Sequence, residues 1–180
     1  MLDQDEELKH KMLDDLRAQI GHLSQADAVN VVAGHINLAP DLWLSSDPAG
    51  EAKMSCQQMD DGQGIVLHLE GGDTGAWAAL GMKLPIEELK QAHYLGLLIE
   101  LRGIDVVSAT PTLRYYFPES MVDVPASTPL IMAGGPREHL SHIPLDLKQL
   151  ERASGCELNL FFHGDSFVAE VSKIEPLLFL

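Results

Sequence analysis

Tyr94-Leu-Gly-Leu-Leu-Ile-Glu-Leu-Arg102 sets Leu97, Ile99 and Leu101 on one side of an extended chain and Leu98, Glu100 and Arg102 on the other. A period of two is the signature of a strand with one buried and one outward face. The same alternation recurs on either side of this stretch. In Gly64-Ile-Val-Leu-His-Leu-Glu70, Ile65, Leu67 and Leu69 oppose Val66, His68 and Glu70. In Thr112-Leu-Arg-Tyr-Tyr-Phe117, Leu113, Tyr115 and Phe117 oppose Arg114 and Tyr116. Glu157-Leu-Asn-Leu-Phe-Phe-His163 sets Leu158, Leu160 and Phe162 against Asn159, Phe161 and His163. Phe167–Val171 follows a Gly164-Asp165-Ser166 turn, which predicts a hairpin. A last strand covers Ile174 to Phe179, where Pro176 marks an edge or a bulge. Short alternating segments punctuated by glycine and proline predict a mostly β, antiparallel sandwich.

Elsewhere the period changes. Leu8, Met12, Leu16, Ile20 and Leu23 recur at spacings of three and four, which predicts an amphipathic helix over 3–23. Leu13, Leu16, Ile20 and Leu23 also fit two heptads, so the helix either packs on the domain, links to a neighbour or self-associates. The expected division is therefore 1–24 as this helix and 25–180 as the β domain. Residues 24–40 are ambiguous, because Val29, Val31, Val32 and Ile36 favour strand while the alanines do not. Pro85–His93 and Leu145–Ala153 each read as one or two helical turns in connections. Residues 118–136, with four prolines and two adjacent glycines, read as a long irregular connection or a weakly paired strand region.

The chain has 180 residues, enough for one core with a short appendage. With 27 acids against 12 bases its net charge is −15, a field that repels phosphate, and Arg102, Arg114, Arg137 and Arg152 are scattered. Nucleic acid and anionic membranes are thus not expected as partners. Cys56 and Cys156 are too few for a disulfide framework. The start Met-Leu-Asp-Gln-Asp-Glu-Glu lacks the basic and apolar parts of a leader, so with Met1 as the natural start a cytoplasmic location is expected.

From about residue 41 to 180 these pieces resemble the galactose-binding-like jelly-roll sandwich of carbohydrate-binding modules. The resemblance is carried by Gly75-Ala-Trp77 before a short apolar strand and a helical turn, and by Tyr94–Gly103 ending in its Arg-Gly turn. His142-Ile-Pro-Leu145 before a short helix and the closing pair Leu158–Phe162 and Phe167–Leu178 complete it. The chain departs from such modules in having two tryptophans and no leader, so the resemblance speaks to fold before function. It implies a saccharide or glycoconjugate as partner, and a structural calcium as the one cofactor to consider.

The outward set His68, Glu70, Glu100, Arg102, Arg114, Tyr116, Asn159 and His163 is a ligand face if its strands share one sheet, and otherwise a solvated surface. Hydroxyls of a sugar need planar hydrogen-bonding side chains, and its C–H faces stack on rings. Arg102, Arg114, Tyr116 and His163 are the candidate ligand residues, with Trp77 as a platform, although Trp43 and Trp77 by size belong first to a core. His139 and His142 have a metal-like H-x-x-H spacing, but Pro144 and Gly134-Gly135 argue against a helix and no glutamate lies between them. Asp60-Asp61-Gly62 and Glu70-Gly71-Gly72-Asp73 suit calcium, and equally suit turns. No nucleophile elbow, P-loop or dinucleotide fingerprint occurs, so no catalytic residue is assigned. The expected function is a non-catalytic domain recognising a glycan. The alternatives are a structural or oligomerisation module and, more weakly, a polysaccharide hydrolase whose carboxylates come from separate strands.

Overall fold

The computed structural model describes residues 4–23, 29–32, 34–60, 64–70, 77–164 and 166–180, with the side chains of 4–12, 29–32 and 104–105 left aside. In chain order the elements are α1 (Gln4–Leu23), β1 (Val29–Val32), β2 (Gly34–Ala39), β3 (Leu42–Ser46), β4 (Lys53–Gln58), β5 (Ile65–Glu70) and β6 (Ala78–Leu84). They continue with α2 (Ile86–Leu89), β7 (Tyr94–Phe117), β8 (Ser120–Pro125), β9 (Leu130–Pro144), α3 (Leu147–Leu150), β10 (Gly155–His163) and β11 (Phe167–Phe179). Among the described residues the eleven strands form one hydrogen-bonded sheet whose mapped pairs are all antiparallel.

β7 is the spine. Its first part, Tyr94 to Gly103, lies between β11 and β9. Its second part, from Ser108, pairs with β10 on one side as far as Tyr116, and on the other with the start of β9 at Ser108 and Ala109 and with β8 from Thr112 to Phe117. Pairing with β9 slips between Gly103 and Val107, and there the sheet turns over on itself. One layer runs β1-β4-β5-β11-β7-β9 and the other β2-β3-β6-β10-β7-β8. Met54, Leu67, Ala169 and Ile99 from the first share a single apolar cluster with Leu44, Leu80, Leu158 and Leu113 from the second, so the layers face each other. The inward sets expected from alternation in 64–70, 94–102 and 157–163 are buried, as are Leu113 and Tyr115 of 112–117, whereas Phe117 is half-buried.

Several boundaries differ from the sequence reading. The segments 94–102 and 112–117 belong to one long strand, because the apolar run between them continues the ladder around the fold. Residues 118–136 are mostly strand, since β8 and β9 each leave one side unpaired and a proline there forfeits no ladder bond. The ambiguous 24–40 stretch supplies β1 and β2. The closing segments merge into β11, with the bulge at Ser172. β5 pairs with β11 only as far as Val171, so Pro176 sits where β11 has a neighbour on one side alone.

α1 lies along that opening. Leu16 and Leu23 join the main core, and Leu13 is buried with them. Arg17 donates to the Pro176 carbonyl at 3.2 Å, and Gln19 clamps Asp41 through two bonds of 2.9 Å, one to its carboxylate and one from its N–H. Within the chain, Leu13, Leu16 and Leu23 of the apolar row face the sandwich.

Candidate functional site

The two layers present different outer faces. On the first, Arg102 pairs with Glu170 at 3.3 Å, Lys173 with Glu138 at 3.4 Å, and Ser172 donates to Glu100 at 2.7 Å. This is a solvated, ion-paired surface, and Arg102 belongs to it. The face of the second layer is a groove built by its cross-strand rungs.

Each rung follows from register. Asp123, Arg114, Glu157 and Lys83 stand side by side across β8, β7, β10 and β6. The next rung places Thr112 beside Asn159, Gly81, Trp43 and Asn37. A third aligns Thr110, Phe161, Ala79, Ser45 and His35. Two hollows result, of about 560 Å³ towards β2 and about 410 Å³ towards β8, and both are lined by Trp77 and Arg114. Together they make a channel across the strands. At about 4.8 Å per strand, the six-strand layer spans roughly 24 Å, the length of several pyranose rings.

Trp77 is 38% exposed and lines both hollows, so it is a surface residue and not part of the core. Trp43, at 9%, also faces outward but lies tight against the sheet. Gly81 permits this, because a Cβ there would come within 2.2 Å of the indole nitrogen. His35 covers the indole from outside, with ring centres 5.7 Å apart.

The polar groups are held by one another. Arg114 makes a fork to Asp123, with both N···O distances 2.7 Å, and its guanidinium rests 5.7 Å from the Phe161 ring centre. The Asp123 carboxylate raises the Arg114 pKa beyond its ordinary value, so the charge is permanent. Tyr116 donates to Glu157 at 2.8 Å. Burial, aided by the Glu157 charge and opposed by Arg114, pushes the phenol up and keeps it protonated. His163 is bonded to the Thr110 hydroxyl at 2.9 Å. Asn159 is 3% exposed, and its amide nitrogen has no hydrogen-bond partner.

Of the residues singled out from sequence, Trp77, Arg114, Tyr116 and His163 thus come together. Arg102 does not, because β7 changes layer between it and Arg114 while keeping its outward phase. His68, Glu70 and Glu100 stay with Arg102. Sequence reasoning missed Asp123 and His35, which only register brings into the groove. Phe161 was legible as an aromatic in outward phase.

The other chemical candidates separate in the same way. His139 shares the inward phase of Ser141 and Ile143, whereas His142 points out beside Tyr94, so the pair sits on opposite faces of β9. Among the described residues no three His, Cys, Asp or Glu are grouped to hold a metal, and the acidic turns at 60–62 and 70–73 lie mostly outside those residues. Cys56 and Cys156 are buried free thiols, which burial pushes up to about 11 and about 12.

No family model and no curated protein matches the chain. Solved structures do resemble it. The CBM22-1 xylan-binding domain of Paenibacillus barcinonensis Xyn10C superposes with a TM-score of 0.52 at 9% identity, over 85% of this chain and 95% of that one. A family 11 carbohydrate-binding module from Clostridium thermocellum, in complex with a β-1,3-1,4-mixed-linked tetrasaccharide, gives 0.51 at 10% identity, over 79% and 91%. The family 11 module of the cellulosomal cellulase Lic26A-Cel5E of Clostridium thermocellum gives 0.51 at 11% identity, over 82% and 96%. The chain has the β-sandwich fold of carbohydrate-binding modules.

Proposed function

We propose that the groove across the second layer binds an uncharged saccharide chain without transforming it. The observation that carries this reading is the meeting of the two hollows at Trp77, with fixed polar side chains on either side. A ring at the waist of a channel stacks on a sugar's C–H face, while Arg114, Tyr116 and His163 offer hydrogen bonds to its hydroxyls. The solved structures of similar fold, described as xylan-binding or holding a mixed-linked tetrasaccharide, support the same class of ligand.

Two features favour a neutral chain. Arg114 is matched by Asp123, so it offers no free cation to a uronate or sulfate. The net charge of −15 repels polyanions as well. Two features oppose hydrolysis. Asp123 is held in the fork to Arg114, and Glu157 accepts a hydrogen bond from the Tyr116 hydroxyl, so both carboxyls in the groove are engaged as acceptors and neither is offered to a glycosidic oxygen.

Affinity electrophoresis against xylan, mixed-linked glucan and a uronate polymer tests the reading. Retardation by a neutral glycan but not by the uronate is expected. Migration unaffected by every neutral glycan would sink it.

A further inference from the structure

Glu88, in the one-turn helix α2, is 2% exposed, and neither of its carboxylate oxygens has a well-aligned hydrogen bond, the Leu13 backbone of α1 being the one donor that approaches it. Burying an unpaired carboxylate is costly, and the usual escape is to keep the proton. α1 lies within reach of Glu88. The backbone of Leu13 and the side chains of Asp14 and Asp15 are the groups of that helix that act on it. Among the described side chains, which do not include those of Lys9, His10 and Lys11, no cation is paired with it. Arg17 is engaged by Asp14, Glu175 and the Pro176 carbonyl, Lys90 is paired with Glu87, and Lys173 with Glu138 and Glu175. Asp41, on the turn facing the same helix, is held by Gln19.

We propose that Glu88 makes the docking of α1 proton-dependent: the helix lies closed on the sandwich while this carboxyl is protonated and loosens once it is ionised. Loosening uncovers Leu13, Leu16 and Leu23 together with the one-sided stretch of β11 at Pro176. The inference is independent of what the groove binds.

Burial is the main cause that pushes Glu88 up, to about 7, with Asp14 and Asp15 adding to it and the Leu13 backbone opposing. The docked state therefore holds its proton more tightly than the undocked one. Docking is strongest at and below the ordinary carboxyl value, weakens as pH rises towards 7, and levels off above it. The shift corresponds to a change of up to about a hundredfold in the docking equilibrium.

Amide hydrogen exchange of the full chain, expressed as protection factors for residues 13–23 at pH 5 and pH 8.5, provides the test. Protection should fall by tens of fold to about a hundredfold at the higher pH, and Glu88→Gln, neutral throughout, should flatten the difference. Equal protection of the wild-type helix at both pH values overturns the inference, as does a Glu88→Gln chain that keeps the full difference. Should that variant not fold, Asp14→Asn/Asp15→Asn replaces it. Removing the two carboxylates should move the fall in protection to lower pH, and an unmoved profile would again overturn the inference.

Discussion

Arg114 and Asp123 face each other across β7 and β8, joined by two N···O contacts of 2.7 Å in a planar fork. The pair fixes the guanidinium over Phe161 at the wall shared by both hollows. Because both groups are partly solvated, the fork contributes little to stability, under about 1 kcal/mol. Its expected worth is positional. Arg114→Lys keeps the charge but not the fork, and should weaken glycan binding about tenfold in calorimetric titration while Tm moves by only a few degrees. Unchanged affinity in the lysine variant would remove Arg114 from the binding face.

On the proposed reading, Trp77 supplies the ring that stacks on the sugar. Truncation to alanine removes a half-exposed platform from the waist of the groove and leaves the core intact. A loss of about 1.5 kcal/mol, roughly tenfold or more in Kd, is expected. Calorimetry with the glycan retained by the wild type measures it, and a thermal scan should show a nearly unchanged Tm.

Gly81 is the seat of Trp43. Gly81→Ala puts a methyl within 2.2 Å of the indole nitrogen and 2.7 Å of the Asn159 carbonyl oxygen, so ring or strand must shift. A destabilisation of about 1–3 kcal/mol follows for overpacking of this kind. Tryptophan emission should move to the red as Trp43 leaves the sheet. Emission and Tm both identical to wild type would show that the indole does not rest there.

The thiols give a reactivity prediction. Cys56 and Cys156 sit in the apolar interior, which pushes them up to about 11 and about 12, so the thiolate is scarce in the native state at pH 8. Alkylation should be slow until denaturant exposes both residues, and then complete. The sign of the linkage follows. The thiols are neutral in both states near pH 7, and stability falls as pH rises past the ordinary thiol value, because the unfolded chain ionises first. Labelling of the native protein at the rate of a free thiol would contradict the burial.

The strands were legible because the evidence for each is local. Leu97, Ile99 and Leu101 must point the same way in any extended chain, and a sandwich buries such sets. The N-terminal helix was legible for the same reason, though its partner was not. Leu16 and Leu23 look identical in sequence whether they meet a second chain or their own core, and within one chain they pack on the sandwich. Residues 118–136 stayed open between a connection and a weakly paired strand because proline counts against strands in general, while its cost falls only on a paired edge, and β8 and β9 each pair with β7 alone among the described strands.

The candidate site divides along the same line. Sequence by itself determined which side chains point outward, among them Arg102, Arg114, Tyr116 and His163, since outwardness is a matter of phase along one strand. Which of these share a face is a matter of hydrogen-bond register between strands far apart in the chain, and tertiary structure alone decided it. The turn of β7 between Gly103 and Val107 sent Arg102 to one side of the molecule and Arg114 to the other, and pairing with β10 and β6 brought Asn159 and Trp43 alongside the latter.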